Sequence, residues 1–202
     1  MNVGIVTSFI VGGLLLLSIL TLNVRMSEFA NNSTVDMIAK NRVETISELI
    51  SNDLKKIGQD LPGSVKPFVT MDSDRIKFRA DTFFGDNRPF SMITWDFKTN
   101  QGYSKSKNPN DFLLSRDDNI PGNPGNNKDE FPVTFFKISY LDKNGDPVLG
   151  LPANQSLISR IHVEIICESE EPVGTDSNGN DIYSSVMWSK TFYPENLQFS
   201  NQ

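Results

Sequence analysis

No charged side chain occurs before Arg25. The stretch Val3–Val24, VGIVTSFIVGGLLLLSILTLNV, is apolar apart from Gly, Ser, Thr and one Asn. As an α-helix its roughly 22 residues rise about 33 Å, enough to cross the hydrocarbon core of a bilayer. A core helix of a soluble domain seldom runs so far without a charge. A cleavable secretory signal wants a basic flank, a shorter apolar run and a small-x-small cleavage site, and Leu22-Asn23-Val24-Arg25-Met26 is no such site. Residues 1–25 are therefore read as a retained transmembrane anchor, with the lipid bilayer as partner. Arg25, Lys40 and Arg42 follow the run and no Lys or Arg precedes it. By the positive-inside rule alone this mildly favours an inward C-terminal domain.

Beyond the anchor the apolar residues change from continuous to periodic. Val35, Ile38, Ala39, Val43, Ile46, Ile50, Leu54 and Ile57 recur mostly at steps of three and four, one stripe on a helix. Asp36, Lys40, Asn41, Glu44, Glu48 and Lys55 occupy the other face. This predicts an amphipathic helix over residues 26–58 whose stripe packs on the head. Gly58 suits its C-terminal cap, and Pro62-Gly63 prevents continuation. Asn31-Asn32-Ser33-Thr34 either caps a separate helix or is a polar patch on one continuous helix about 80 Å long.

Residues 59–202 read as a β-rich head. Arg75–Ala80 alternates, with Ile76, Phe78 and Ala80 on one side. Phe90–Phe97 is rich in β formers, Phe112-Leu113-Leu114 is ambiguous, and Val133–Leu141 places Phe136, Ile138 and Tyr140 on one face. Leu157–Cys167 and Ile182–Tyr193 flank a polar loop and are expected to pair as an antiparallel hairpin. Residues 98–130 are rich in Asn, Lys, Gly and Pro, notably in the run 121–127, and are expected to form a long irregular excursion. The fold class is α+β: a long N-terminal helix followed by an antiparallel β-rich head.

Composition removes most chemistry. One cysteine excludes an intrachain disulfide and a cysteine-rich zinc site, and one histidine disfavours histidine-based catalysis. A net charge of −6, from 19 Lys+Arg against 25 Asp+Glu, argues against nucleic acid as a partner. His162 and Cys167 lie an odd number of residues apart on one predicted strand, hence on opposite faces, and cannot act as base and nucleophile. Cys167 falls on the apolar face and is expected to be buried and inert. No phosphate-binding loop, nucleophile elbow or zincin helix is present, so the chain is read as non-enzymatic and without a resident cofactor.

Two segments carry clustered oxygens, Asp142–Asp146 and Asp176–Asp181. Asp176, Asn178, Asn180 and Asp181 are the better calcium candidates. Glycine stands fourth rather than sixth in each segment and no Glu follows at the twelfth position, so a type I′ hairpin turn around Asn-Gly is the preferred reading. The glycosylation sequons at Asn31, Asn32 and Asn154 are too common to decide anything. In the anchor, Gly4, Ser8, Gly12 and Gly13 put small residues along one face, where they let a second helix approach closely in lipid.

This layout resembles that of type IV pilin-like proteins. Ile50-Ser51-Asn52-Asp53-Leu54-Lys55-Lys56-Ile57-Gly58 is similar to the S-x-D-L-R-x-x-G helix end of their larger minor members, the J-type pseudopilins of type II secretion and the W-type minor pilins. Arg75–Asp81 resembles their first head strand, and Lys190–Leu197 their last. The prepilin leader, basic residues followed by Gly and Phe-Thr-Leu-Ile-Glu, is not matched: Gly4 is followed by Ile5-Val6-Thr7-Ser8-Phe9. The resemblance implies a structural subunit of a cell-envelope assembly. It would be single-pass in a bacterial inner membrane, with its C-terminal head in the periplasm or outside, and its partners would be other pilin-like subunits or envelope-assembly proteins. The alternative is a single-pass membrane-anchored extracytoplasmic binding or adaptor module.

Overall fold

The computed structural model describes residues 3–59, 61, 65–80, 90–119 and 127–197. Its first element is one unbroken helix, α1, Val3–Lys55. Asn31–Thr34 does not interrupt it, and the Thr34 hydroxyl donates back to the Ala30 carbonyl at 2.9 Å. Through the apolar N-terminal half every side chain from Val3 to Val24 is exposed, and full burial begins only at Val35. The helix ends where Gly58 takes φ 73°, a conformation that costs a glycine little. The Gly58 N–H donates to the Arg79 carbonyl at 3.2 Å, and Asn196 Nδ2 donates to the Ile57 carbonyl. Pro62-Gly63 lies outside the described residues.

The head is two antiparallel sheets and a small ribbon. Strands β1 (Phe68–Met71), β2 (Arg75–Ala80), β3 (Ser91–Gly102), β4 (Phe112–Asn119) and β5 (Asn127–Val133) form a meander in sequence order. The chain then crosses at Thr134 into a second sheet of β6 (Phe135–Leu141), β7 (Arg160–Glu168) and β10 (Ser185–Phe192), in the order β10-β7-β6. The ribbon β8 (Gly174–Thr175) and β9 (Asp181–Ile182) extends the β7–β10 hairpin. The two sheets are joined at one side, where the Ile138 N–H donates to the Ser73 carbonyl at 2.7 Å and the Tyr140 hydroxyl to the Asp72 carbonyl.

Alternation puts the expected residues inside. Ile76, Phe78 and Ala80, then Phe136, Ile138 and Tyr140, then Ile161, Val163, Ile165 and Cys167 are all buried. The β7–β10 pairing runs from Phe192 opposite Ile161 to Ser185 opposite Glu168, the hairpin that the polar loop between them implied. Phe97 lies 6.1 Å from both Phe112 of the first sheet and Phe136 of the second, tying the layers into one core.

Two expectations are corrected. Residues 98–130 are not a long irregular excursion. β3 continues to Gly102, β4 takes residues 112–119 and β5 begins at Asn127, because the polar residues there are used in a ladder and an ion network rather than left in solvent. Only Tyr103–Asp111 is irregular among the described residues, and the run 120–126 lies outside them. The stripe also loses a member. Val35, Ala39, Val43, Ile46, Ile50, Leu54 and Ile57 are buried, but Ile38 is 51% exposed. At about 100° per residue, Ile38 falls roughly a quarter-turn or more from the centre of the face defined by the others.

Truncating Ile50 or Leu54 to Ala should therefore lower the stability of the detergent-solubilised protein by about 2–5 kcal/mol. Ile38→Ala, Lys40→Ala and Glu48→Ala should each stay within about 0.5 kcal/mol. Urea unfolding followed by tryptophan fluorescence measures both, and equal losses on the two faces would mean that the helix does not pack on the head.

Candidate functional site

Asp53 occupies a core position on the helix, one turn after Ile50 and beside Leu54, and is 1% exposed. It faces a single row of the first sheet, in which Met71, Ile76, Trp95, Arg116 and Asp129 stand opposite one another across all five strands. Arg116 donates to Asp53 from Nε at 2.7 Å and from Nη2 at 3.0 Å, a fork-to-fork pair, and Trp95 Nε1 donates to the same carboxylate at 2.9 Å. Arg116 also reaches Asp118 at 3.1 Å and Asp129 at 3.2 Å. The guanidinium is held protonated even beyond its ordinary range, first by its hydrogen bond to Asp53. Arg116 is held as a cation, and Asp53 accepts three hydrogen bonds.

A second polar cluster joins the helix to the other end of the head. Arg42 Nη1 donates to the Glu168 carbonyl at 3.2 Å and lies 3.7 Å from Asp111. Asp111 accepts from the Ser106 hydroxyl at 2.6 Å. Asn108 Nδ2 bridges the Glu168 carboxylate and the Ser169 carbonyl, and Asn110 reaches the same Glu168 carboxylate. The irregular segment Tyr103–Asp111 is thus clasped to the end of β7. Asp111 Oδ1 is buried and has no hydrogen-bond partner, and burial pushes its carboxyl above the usual range.

The residues singled out from sequence are placed as follows. Gly4, Ser8, Gly12 and Gly13 lie exposed along one side of α1 and, with Ile5, Phe9 and Leu16, line a shallow groove. A Cβ at Gly4, Gly12 or Gly13 would meet nothing within 4 Å. The hydroxyls of Thr7, Ser18 and Thr21 donate to carbonyls one turn back at 2.9 Å, whereas Ser8 makes no hydrogen bond among the described residues. Cys167 is buried, which pushes its thiol up to about 12. His162 shares a hydrogen bond with Thr191 at 2.9 Å on the opposite face, so the two form no catalytic pair.

In both Asp-rich segments the turn differs from the expected type I′. The Gly145 and Gly179 N–H groups donate to the carbonyls of Asp142 and Asp176, and only the glycines, at φ 94° and 83°, are left-handed. This is a type I turn closed by a glycine bulge, which asks positive φ of one residue instead of two. Asp176 Oδ1 accepts the backbone N–H groups of Asn178 and Asn180 at 2.8 Å, and Oδ2 accepts from Asn180 Nδ2 at 2.9 Å. That carboxylate, held below its usual range by the Asn180 side chain first, is thereby engaged in the turn. Among the described residues no group of three or more His, Cys, Asp or Glu is disposed to hold a metal.

Sequence reasoning missed Arg116, Asp118, Asp129, Arg42 and Asp111 as interacting residues. A signal existed for Asp53, an acidic residue on the apolar stripe between Ile50 and Ile57, which calls for a buried cation elsewhere. No family model matches this chain, and neither a curated protein nor a solved structure matches it.

Removing Asp53 should strand a buried guanidinium. Asp53→Ala should cost about 3–5 kcal/mol, and Asp53→Leu combined with Arg116→Met should recover most of that loss. Additive losses in this cycle would show that the two side chains do not act as a pair.

For Asp111 the raised folded-state pKa means that the native protein binds the proton more tightly than the unfolded chain. Its contribution is therefore present at low pH and lost as pH rises through the ordinary carboxylate range to the folded value. Asp111→Asn should gain stability relative to the unsubstituted protein across that interval and run parallel to it above. Urea midpoints measured as a function of pH read this directly, and a constant difference at every pH would contradict it.

Proposed function

We propose that this chain is a non-enzymatic structural subunit of a pilin-like or pseudopilin assembly, a minor component of a type II secretion system or type IV pilus. In this reading it is single-pass in the bacterial inner membrane with its head in the periplasm or outside. The observation that carries the proposal is the continuity of α1. One helix is long and apolar enough at its N-terminal half to cross a membrane, and its C-terminal half is a core element of the head, fastened through Asp53. A tether needs no such rigidity, because a flexible linker serves as well. A subunit that must present its head at a fixed height and angle above the bilayer does need it. The residues that resemble the minor-pilin helix end include Asp53 itself, so the loose motif falls on the side chain that locks helix to head.

The anchor supplies a second support. Its exposed small-residue groove can accept a neighbouring helix, and Ser8 is the hydroxyl there without an internal acceptor. In hydrocarbon an unsatisfied hydroxyl is costly, and a partner helix is one source of its hydrogen bond.

Two measurements test the proposal. Full-length protein should stay in the membrane after carbonate and high-salt washing, and release by salt alone would overturn the anchor. Ser8→Leu with Gly12→Leu should leave insertion intact but abolish helix–helix crosslinking in the membrane fraction. If crosslinked species persist unchanged, the groove is incidental and the plain anchored adaptor becomes the better reading.

A further inference from the structure

Strand β10 runs alongside α1 in the same direction. Arg42 meets the Glu168 carbonyl, and Glu168 stands opposite Ser185 at the start of β10. Leu54 and Lys55 lie beside Lys190 and Phe192 at its end. The helix rises about 18 Å between Arg42 and Leu54, and the strand advances about 23 Å between Ser185 and Phe192. The strands of the three-stranded sheet thus stand along the axis of α1. Each cross-strand row of that sheet lies at its own height above the apolar half of the helix.

The inner face of this sheet is core, whereas its outer face is open to solvent. Phe135, Ile166 and Met187 form one outer row across the three strands. Phe135 is 38% exposed and Met187 61%, with Ile166 half-buried between them. The next row is Lys137, Glu164 and Ser189, and the one after it Ser139, His162 and Thr191. The face therefore changes with height. It is apolar toward the Arg42 end, then carries one charge of each sign, then hydroxyls around an imidazole.

We propose that this outer face docks on the same face of a second copy of the chain, about a two-fold axis along the membrane normal that passes between β6 and β7. Copies anchored by the same helix in one bilayer hold their heads at one height, so each row meets its own row in the neighbour. Charge then selects the axis. An axis through β7 sets Glu164 against Glu164, and one between β7 and β10 sets Glu164 against Ser189. Only an axis between β6 and β7 sets Lys137 against the partner's Glu164, twice over, with Phe135 against the partner's Ile166 below. Four charges of alternating sign result, and the contact is isologous and closes at two copies. Three strands of this length present roughly 300 Å2, less than a stable interface between free molecules needs. Confinement and common orientation in one bilayer raise the effective concentration enough for a small patch to suffice. Each α1 lies on the inner side of its sheet, so the anchors stand apart and their small-residue grooves stay open to other neighbours. The inference rests on the membrane-anchored assembly reading above and goes beyond it by naming a like subunit and the face it uses.

The test uses full-length protein in its own membrane. Ser139→Cys serves as reporter, because Ser139 lies close to the proposed axis and to its own symmetry mate, and a short bismaleimide links the pair. Buried Cys167 does not compete. Crosslinked dimers without higher species are expected. Adding Lys137→Glu should cut the dimer yield by about tenfold or more, since four acidic side chains then face one another. Adding Glu164→Lys to that variant exchanges the two signs and should restore the yield to within about twofold. Ser8→Leu with Gly12→Leu should leave the Ser139→Cys crosslink in place.

The proposal is overturned if Ser139→Cys chains crosslink no more than chains carrying Thr99→Cys, an exposed position on the other sheet. It is also overturned if species larger than dimers dominate, if Lys137→Glu changes nothing, or if the exchanged pair fails to recover the yield. Anchor-helix crosslinks that persist while the Ser139→Cys dimer is absent would remove this contact and leave the assembly reading standing.

Discussion

Asp53 stands where the stripe of α1 would otherwise carry an apolar residue, and the arrangement of the head follows from how its charge is met. A carboxylate taken out of water costs several kcal/mol unless it is paired and hydrogen-bonded. Here Arg116 grips both oxygens and Trp95 donates to one of them. That geometry is available at one rotation and one axial position of the helix only. Apolar packing of Ile46, Ile50 and Leu54 tolerates small slides and turns, whereas a bidentate pair does not. The ion pair is thus less a source of stability than a device that selects one docking of the helix on the sheet.

Arg42 plays the complementary part about 16 Å further back along α1. It is cationic where Asp53 is anionic, and it meets the end of β7 and Asp111 of the β3–β4 connection. Two opposite charges on one helix, each answered by a different part of the head, fix the helix at two points. Val3 to Val24 are exposed throughout, and full burial along the helix begins only at Val35. The consequence is mechanical: any tilt of the apolar N-terminal half becomes tilt of the head.

Much of this was legible in the sequence, because periodicity reports burial directly. The uncharged run before Arg25, the stripe from Val35 to Ile57 and the alternation in Arg75–Ala80 and Leu157–Cys167 each specify an element and its inner face. The failures share one cause. Residues 98–130 look like loop by composition, but Arg116 is polar because it meets the buried Asp53 carboxylate, about sixty residues earlier on another element, and Asp118 and Asp129 are polar because they meet Arg116. Ile38 fails for the opposite reason, since hydrophobicity alone does not say that a neighbour covers it. The glycine-bulge turns were misread because Asn-Gly serves both turn types, and only the backbone pairing of Asp142 with Asp146, and of Asp176 with Asn180, separates them.

The central claim is that the helix from Val43 to Lys55 is an integral part of the head and unfolds only with it. Native-state hydrogen exchange tests this most directly. The amides of that helical segment should open with the same free energy as those of the central strand Ser91–Gly102, rising and falling together as denaturant is added. Helix amides that exchange several orders of magnitude faster, while the strand keeps its full protection, would show a stalk merely resting on an independently stable sheet and would contradict the claim.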